Sequence, residues 1–154
     1  MIGLLLVTGG CGFSLRGSDA ISASIPELRL ASPQPNSEFM RQLRNGLAAA
    51  NVQLPDSGAN IPLLQLGPER LSSRPVSVNP RARAAQYELR LEVDISLIVQ
   101  NNGLIPQQTL FTARTLFEDI ENISGNREEI ELLAGEMRRE LVNQILRRLE
   151  NAQQ

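Results

Sequence analysis

Tyr87-Glu-Leu-Arg-Leu-Glu-Val-Asp-Ile-Ser-Leu-Ile-Val99 is the stretch that decides the fold of this chain. Apolar residues occupy every second position from Tyr87 to Val99, and mostly charged or polar residues stand between them. A period of two is the pattern of a β-strand with one buried face and one wet face. The stretch therefore predicts a long strand of an antiparallel sheet that is covered on one side only.

A hairpin and a return strand are predicted directly after this stretch. Gln100-Asn-Asn-Gly103 contains the Asn-Gly pair typical of tight hairpin turns. The return strand is predicted from about Gln107 to Asp119. Phe111, Ala113 and Phe117 fall on one of its faces and Leu110 and Leu116 on the other, so we expect partial cover on both sides.

Two segments show the three-to-four-residue apolar spacing of amphipathic helices. The first is capped by Asn36 or Ser37 and ends near Ala50, with Asn51 suited to the residue that follows the helix. The second is predicted from Arg127 to about Asn151. The apolar stripes are Phe39, Met40, Leu43 and Leu47 in the first, and Ile130, Leu133, Met137, Leu141, Ile145 and Leu149 in the second.

Two further strands complete the predicted sheet. Ile25 to Ala31 alternates at its leucines, and Ile61 to Val78 is β-like but interrupted by three prolines, which is typical of an edge strand with bulges. The element order is then β-α-β-β-β-α. Both helices need an apolar surface, which only one side of the Tyr87–Val99 strand offers. The prediction is an α+β two-layer sandwich, with two helices on a mostly antiparallel sheet of about four strands, in a single domain spanning 25–152.

Composition limits the chemistry that this chain can perform. It has no histidine and one cysteine, which excludes metal sites built on those ligands and histidine-based acid–base catalysis. A net charge of −2 argues against nucleic acid as a partner. Glu88, Glu92 and Asp94 share one strand face and are the remaining catalytic possibility, but alternating charges there indicate a wet surface. We therefore predict that the protein is not an enzyme.

The N-terminus resembles the end of a bacterial lipoprotein signal. A short apolar run leads through Gly9 and Gly10 to Cys11, the position that would carry lipid. The apolar run is short, and Thr8 stands three residues before the cysteine, so an ordinary buried strand with a free cysteine is the alternative. On the lipoprotein interpretation, residues 1–10 are a signal-peptide remnant and residues 11–24 form the anchor and tether.

Several segments together resemble one known family. Cys11-Gly-Phe-Ser-Leu-Arg-Gly17 is similar to the start of the mature LptE proteins, also called rare lipoprotein B. The first helix with Arg41 and Leu43 resembles the family as well. Further similarities are Ala85-Gln-Tyr87 before the long strand, Arg114-Thr-Leu-Phe117 in the next strand, and Gly135-Glu-Met137 and Ile145-Leu-Arg-Arg-Leu149 in the last helix.

The resemblance implies a function at the outer membrane. Members of this family are lipoproteins that plug the LptD β-barrel and act with it to insert lipopolysaccharide into the outer leaflet. It further implies a diacylglycerol and an N-acyl chain on Cys11, with no other cofactor, on the periplasmic side of the membrane. Lipopolysaccharide would contact basic residues in loops, here Arg81, Arg83 and Arg127. The alternative for these arginines is that they are solvated loop residues without a ligand. The alternative for the protein is a lipid-anchored carrier that binds an amphiphile without a barrel.

Overall fold

The computed structural model describes residues 19–77, 84–100, 102–119 and 123–152. These residues form three helices and five strands. In chain order the elements are α1 (Asp19–Ser24), β1 (Arg29–Ala31), α2 (Glu38–Ala49), β2 (Leu63–Leu66), β3 (Arg70–Ser77), β4 (Ala84–Val99), β5 (Asn102–Asp119) and α3 (Ile123–Asn151).

The long alternating strand, β4, is the centre of the sheet. β5 pairs with it antiparallel along almost its whole length on one side. On the other side β2 pairs with residues 95–98 of β4 and β3 with residues 86–92, both antiparallel. β1 adds to β2 in parallel and is the one parallel neighbour among the described strands. The predicted two-layer α+β fold with a mostly antiparallel sheet is thus confirmed.

The sheet has five strands rather than about four, because the proline-rich segment predicted as one broken strand pairs as two. β2 and β3 lie along the same side of β4 and are separated by Gly67, Pro68 and Glu69. The Gly67 N–H still donates to the Asp94 carbonyl at 2.8 Å, so the chain leaves the ladder only briefly. A register shift between Pro75 and Ser77 is the bulge expected of a proline-containing edge strand.

The hairpin between β4 and β5 is present, but its turn lies earlier than predicted. Val99 pairs with Asn102, so the loop has only two residues, and Gly103 already pairs with Ile98 inside the sheet. Gln100 takes the positive φ of 47° that a tight hairpin needs. The Asn-Gly pair therefore marks the start of the return strand rather than the turn itself.

α2 begins as its sequence pattern indicates, whereas α3 begins at Ile123, four residues before the predicted start, so Arg127 lies inside the helix and not in the loop before it. The Ser37 hydroxyl accepts a hydrogen bond from the Met40 N–H at 3.2 Å and caps α2, and Asn51 takes the left-handed conformation after it with φ 58°. α2 packs against α3 closely enough that a Cβ at Gly46 would lie 3.1 Å from Val142 Cγ1. A glycine in mid-helix costs helical propensity, and this close approach is its physical reason.

The core fills the space between the helices and one face of the sheet. Five successive inward residues of β4 are buried, and they form one cluster with the apolar stripes of α2 and α3. Both helices therefore share the side that the alternation of β4 predicts. The inward β4 residues are Leu89, Leu91, Val93, Ile95 and Leu97.

The packed domain begins before the first strand. α1 lies within the segment that the sequence analysis assigned to the tether, yet Ile21 on it is buried in the common core, and the helix contacts α3. Residues 1–18, with the predicted signal remnant and Cys11, lie outside the described residues. None of the helices in the described residues combines the length and apolar character required to cross a membrane.

Candidate functional site: the open face of the sheet

Within the residues that the structure describes, no helix packs on one side of the sheet, and we call this side the open face. It is defined by the outward residues of the three neighbouring strands β3, β4 and β5, which alternate with the buried ones. Cross-strand register places these side chains in rows across the sheet. The open face comprises Arg70, Ser72 and Arg74 of β3, Glu88, Arg90, Glu92, Asp94 and Ser96 of β4, and Thr109, Phe111, Ala113, Thr115 and Phe117 of β5.

Ion pairs run across the open face from β3 to β4. Arg70 donates to both carboxylate oxygens of Asp94, at 2.7 and 3.1 Å, and also lies 3.6 Å from Glu92. Arg74 donates to Glu88 at 2.8 Å. These rows of opposite charge hold the edge strand β3 to the centre of the sheet, and they leave little net charge on that part of the face.

Hydrogen bonds stabilise the charged forms of the carboxylates on this face. Arg70, and then the Thr109 hydroxyl at 2.6 Å, lower the pKa of Asp94 to about 2. Hydrogen bonds from Arg74 and Arg90 lower the pKa of Glu88 and Glu92 respectively. A general acid at neutral pH needs a raised pKa, so this carboxylate row is built for pairing and does not suit proton donation.

Two phenylalanines stand uncovered beside the ion pairs. Phe111 is 49% exposed and Phe117 is 63% exposed, although both lie on a long, regular strand. The Arg90 guanidinium carbon lies 3.7 Å from the centre of the Phe111 ring, a cation–π contact that fixes this ring against β4. Their alternation with Leu110 and Leu116 was visible in the sequence, but which of the two faces the helices cover was not.

The predicted lipopolysaccharide-binding arginines are only partly described by the structure. Arg127 lies in the second turn of α3 and is exposed. Arg81 and Arg83 lie outside the described residues, as does the lipidation candidate Cys11. Ala84, the first residue of β4, pairs with Asp119, the last of β5, so α3 and Arg127 follow from this same end of the sheet.

No cluster in the described residues matches a metal centre, since no group of three or more His, Cys, Asp or Glu side chains converges there. Charged side chains between α3 and the sheet form ion pairs, one partly buried and one exposed. Arg138 of α3 binds Glu69, and Glu140 of α3 accepts from Arg114 and from the Thr112 hydroxyl of β5. These contacts hold α3 to the sheet.

Solved structures identify the class of protein that this architecture defines. Rare lipoprotein B from Shewanella oneidensis superimposes with a TM-score of 0.74 and 26% identity, covering 81% of this chain and 94% of that one. Lipoprotein B from Nitrosomonas europaea shares the fold with a TM-score of 0.71, over 90% of each chain. The fold of this chain is therefore that of the rare lipoprotein B class.

Sequence comparison names the family itself. The chain is 30% identical to the LPS-assembly lipoprotein LptE of Photorhabdus laumondii over 151 residues, covering 97% of this chain and 82% of that protein. It is 31% identical to the protein of the same name from Yersinia pestis, over 97% of this chain and 73% of the other. The model of the family described as LptE: Lipopolysaccharide-assembly matches residues 25–149. The chain belongs to this family, as the resemblance noted in the sequence implied.

Proposed function

We propose that this protein is an outer-membrane lipoprotein, anchored through lipid on Cys11, that plugs an LptD-like β-barrel and takes part in inserting lipopolysaccharide into the outer leaflet. The observation that carries the proposal is membership of the LptE lipopolysaccharide-assembly family, matched over residues 25–149. The lipoprotein names of the relatives support the anchor and the envelope location.

The open face is the surface that we assign to the barrel. Exposed apolar surface that is rimmed by polar residues is typical of interaction sites. Phe111 and Phe117 supply the apolar anchors, and the paired charges beside them form a polar surround. Since those charges already neutralise each other, a partner needs no strong opposite charge to cover them.

Co-purification tests this assignment. The full-length protein is expressed together with a tagged barrel of the LptD type, and Phe111→Ser and Phe117→Ser are each compared with the parent protein. We expect each substitution to lower recovery with the barrel, and the pair to abolish it, because buried aromatic residues commonly dominate interface energies. Leu132→Ser is the matched control, since Leu132 is 67% exposed but lies on α3.

Two results would contradict the proposal. If outer membranes yield the acylated protein without any barrel, the plug function is wrong. If the double phenylalanine variant folds and binds the barrel as well as Leu132→Ser does, the partner surface lies elsewhere on the domain.

Lipopolysaccharide binding is tested separately at Arg127. Arg127→Gln should weaken binding of purified lipopolysaccharide, because an exposed arginine can contact phosphate groups directly. Arg139→Gln, at another exposed position of the same helix, is the control and should bind as the parent does. Equal affinities of the two variants would remove Arg127 from the ligand site and leave it a solvated side chain.

The carrier alternative is less favoured by the packing. A carrier would need an amphiphile-sized cavity between helices and sheet, of some hundreds of Å³. Instead, the facing side chains Leu43, Leu91, Met137 and Leu141 are completely buried in one continuous cluster. The helices and sheet would have to separate before a ligand could enter.

A further inference from the structure

A cleft of about 550 Å³ opens at the end of the sheet where β4 finishes. Its floor is a row across three strands: Arg29 of β1 pairs with Leu63 of β2, and Leu63 pairs with Ile98 of β4. The loop before β2 forms one wall with Asn60 and Ile61, and Gln100 stands at the mouth. The volume lies within the range of small-molecule sites.

Arg29 is the cation of this cleft, and it differs from the arginines of the ion-pair rows. In the part of the chain that the structure describes, no carboxylate forms an ion pair with it, whereas Arg70, Arg74, Arg90 and Arg138 each have one. Its Nε is buried and has no hydrogen-bond partner. A buried donor without an acceptor is unfavourable, so a small shift of the side chain that opens Nε to an acceptor in the cleft is favoured by the hydrogen bond gained.

The other residues that line the cleft indicate which chemical groups the ligand carries besides its negative charge. Arginine binds phosphate through two parallel N–H donors of its planar guanidinium. Asn60 and Gln100 offer amide groups that can hydrogen-bond hydroxyls. Ile61, Leu63 and Ile98 supply a short apolar surface, against which the C–H face of a sugar ring can pack. We propose that the cleft binds a phosphorylated sugar, with its phosphate on the Arg29 guanidinium.

This site is separate from Arg127, the residue at which lipopolysaccharide binding is tested above. The cleft lies at the C-terminal end of β4, whereas Arg127 follows from the end at which Ala84 and Asp119 pair. Fourteen residues of strand between Ala84 and Ile98 correspond to roughly 45 Å. Lipopolysaccharide as the source of the phosphosugar rests on the proposed function, but the phosphate site itself does not.

Titration of the folded protein with defined phosphates tests the site directly. Inorganic phosphate and glucosamine 6-phosphate are added separately to isotope-labelled protein, and backbone amide shifts are followed by NMR. We expect saturable shifts at Ile61, Leu63 and Ile98, with tighter binding of the sugar phosphate than of phosphate alone. The absence of a saturable shift with both probes would overturn the proposal.

Substitution of Arg29 provides the specific control. Arg29→Gln should weaken binding of glucosamine 6-phosphate at least tenfold, and Arg29→Lys, which keeps the charge but loses the paired donors, should weaken it less. Arg41→Gln, on the exposed surface of α2, should bind as the parent does. If Arg29→Gln is poorly folded, Asn60→Ala in the wall loop is the second variant. Unchanged affinity in folded Arg29→Gln or in Asn60→Ala would reject the site as described.

Purified lipopolysaccharide distinguishes the two sources of the ligand. If it shifts the cleft amides and Arg29→Gln reduces that effect, the phosphosugar belongs to a lipid headgroup. If the soluble sugar phosphate binds and lipopolysaccharide leaves the cleft unchanged, a free sugar phosphate is the ligand. In the second case the phosphate site stands, while the barrel and Arg127 experiments decide the proposed function independently.

Discussion

Glu69, in the break between β2 and β3, binds Arg138 of α3 through both of its carboxylate oxygens. Arg138 Nε lies 3.0 and 2.9 Å from the two oxygens, and Nη2 lies 2.6 Å from one of them. The side chains are only 14% and 20% exposed. The Glu69 N–H also donates to Gln34 Oε1 at 3.1 Å, which ties the same residue to the loop before α2. One short interruption of the sheet edge thus joins three parts of the fold.

Loss of this pair should destabilise the domain. We expect Glu69→Gln to lower the free energy of unfolding by about 1–3 kcal/mol, because it leaves a half-buried guanidinium without its carboxylate. Urea denaturation followed by circular dichroism measures the change. Arg41→Gln breaks the exposed pair with Glu38 and should cost no more than about 0.5 kcal/mol. Equal losses of unfolding free energy in the two variants would show that the Glu69–Arg138 pair contributes no more than an exposed ion pair.

The central strand should be the most sensitive part of the core. Leu91→Ala removes a completely buried side chain of the core cluster, and we expect a loss of about 2–5 kcal/mol in unfolding free energy. Leu132→Ala makes the same chemical change at an exposed position and should remain within about 0.5 kcal/mol of the parent. Comparable losses at both positions, measured by urea denaturation, would contradict the packing described for β4.

Asp94 should make the stability depend on acid pH. The pKa of Asp94 is about 2 in the folded protein, below the ordinary 3.8. The charged carboxylate therefore contributes fully to the free energy of unfolding above about pH 4, and this contribution is lost as the pH falls through 2. Asp94→Asn should therefore cost about 1 kcal/mol at pH 6 and progressively less toward pH 2. Denaturation curves at several pH values measure this difference. Asp56→Asn, in an exposed loop, is the control. If Asp94→Asn lowers the free energy of unfolding by the same amount from pH 6 to pH 2, the predicted pH dependence is wrong.

The cap of α2 offers a local test. Ser37→Ala removes the hydroxyl that accepts from the Met40 N–H, and we expect a loss of about 0.5–2 kcal/mol in unfolding free energy. Ser37→Asp should retain most of the stability, since aspartate also caps helices well. Ser57→Ala in an exposed loop provides the comparison. A parent-like melting temperature for Ser37→Ala would mean that this cap is dispensable.

Local patterns in the sequence were enough for the two long helices, the β4–β5 hairpin and the side of β4 that is buried. The alternation from Tyr87 to Val99 requires that one face be covered, because the opposite register would bury a row of charges. The stripes of α2 and α3 supply the cover, and Ser37 and Asn51 delimit α2 as their side chains predict. The family resemblance likewise depended on short segments that can be read along the chain.

Other features depend on residues that are distant in sequence, and only the tertiary structure decided them. The segment 61–78 divides at Gly67 because β2 and β3 pair with different parts of β4. Phe111 and Leu110 are equally apolar, yet only the fold determines that Phe111 lies on the side without helices. Arg29 is the first residue of β1 and stands between Leu28 and Leu30, and its cleft exists because β2, β4 and the loop at Asn60 meet beside it. Periodicity specifies how side chains alternate within an element, but long-range pairing determines which of them become neighbours.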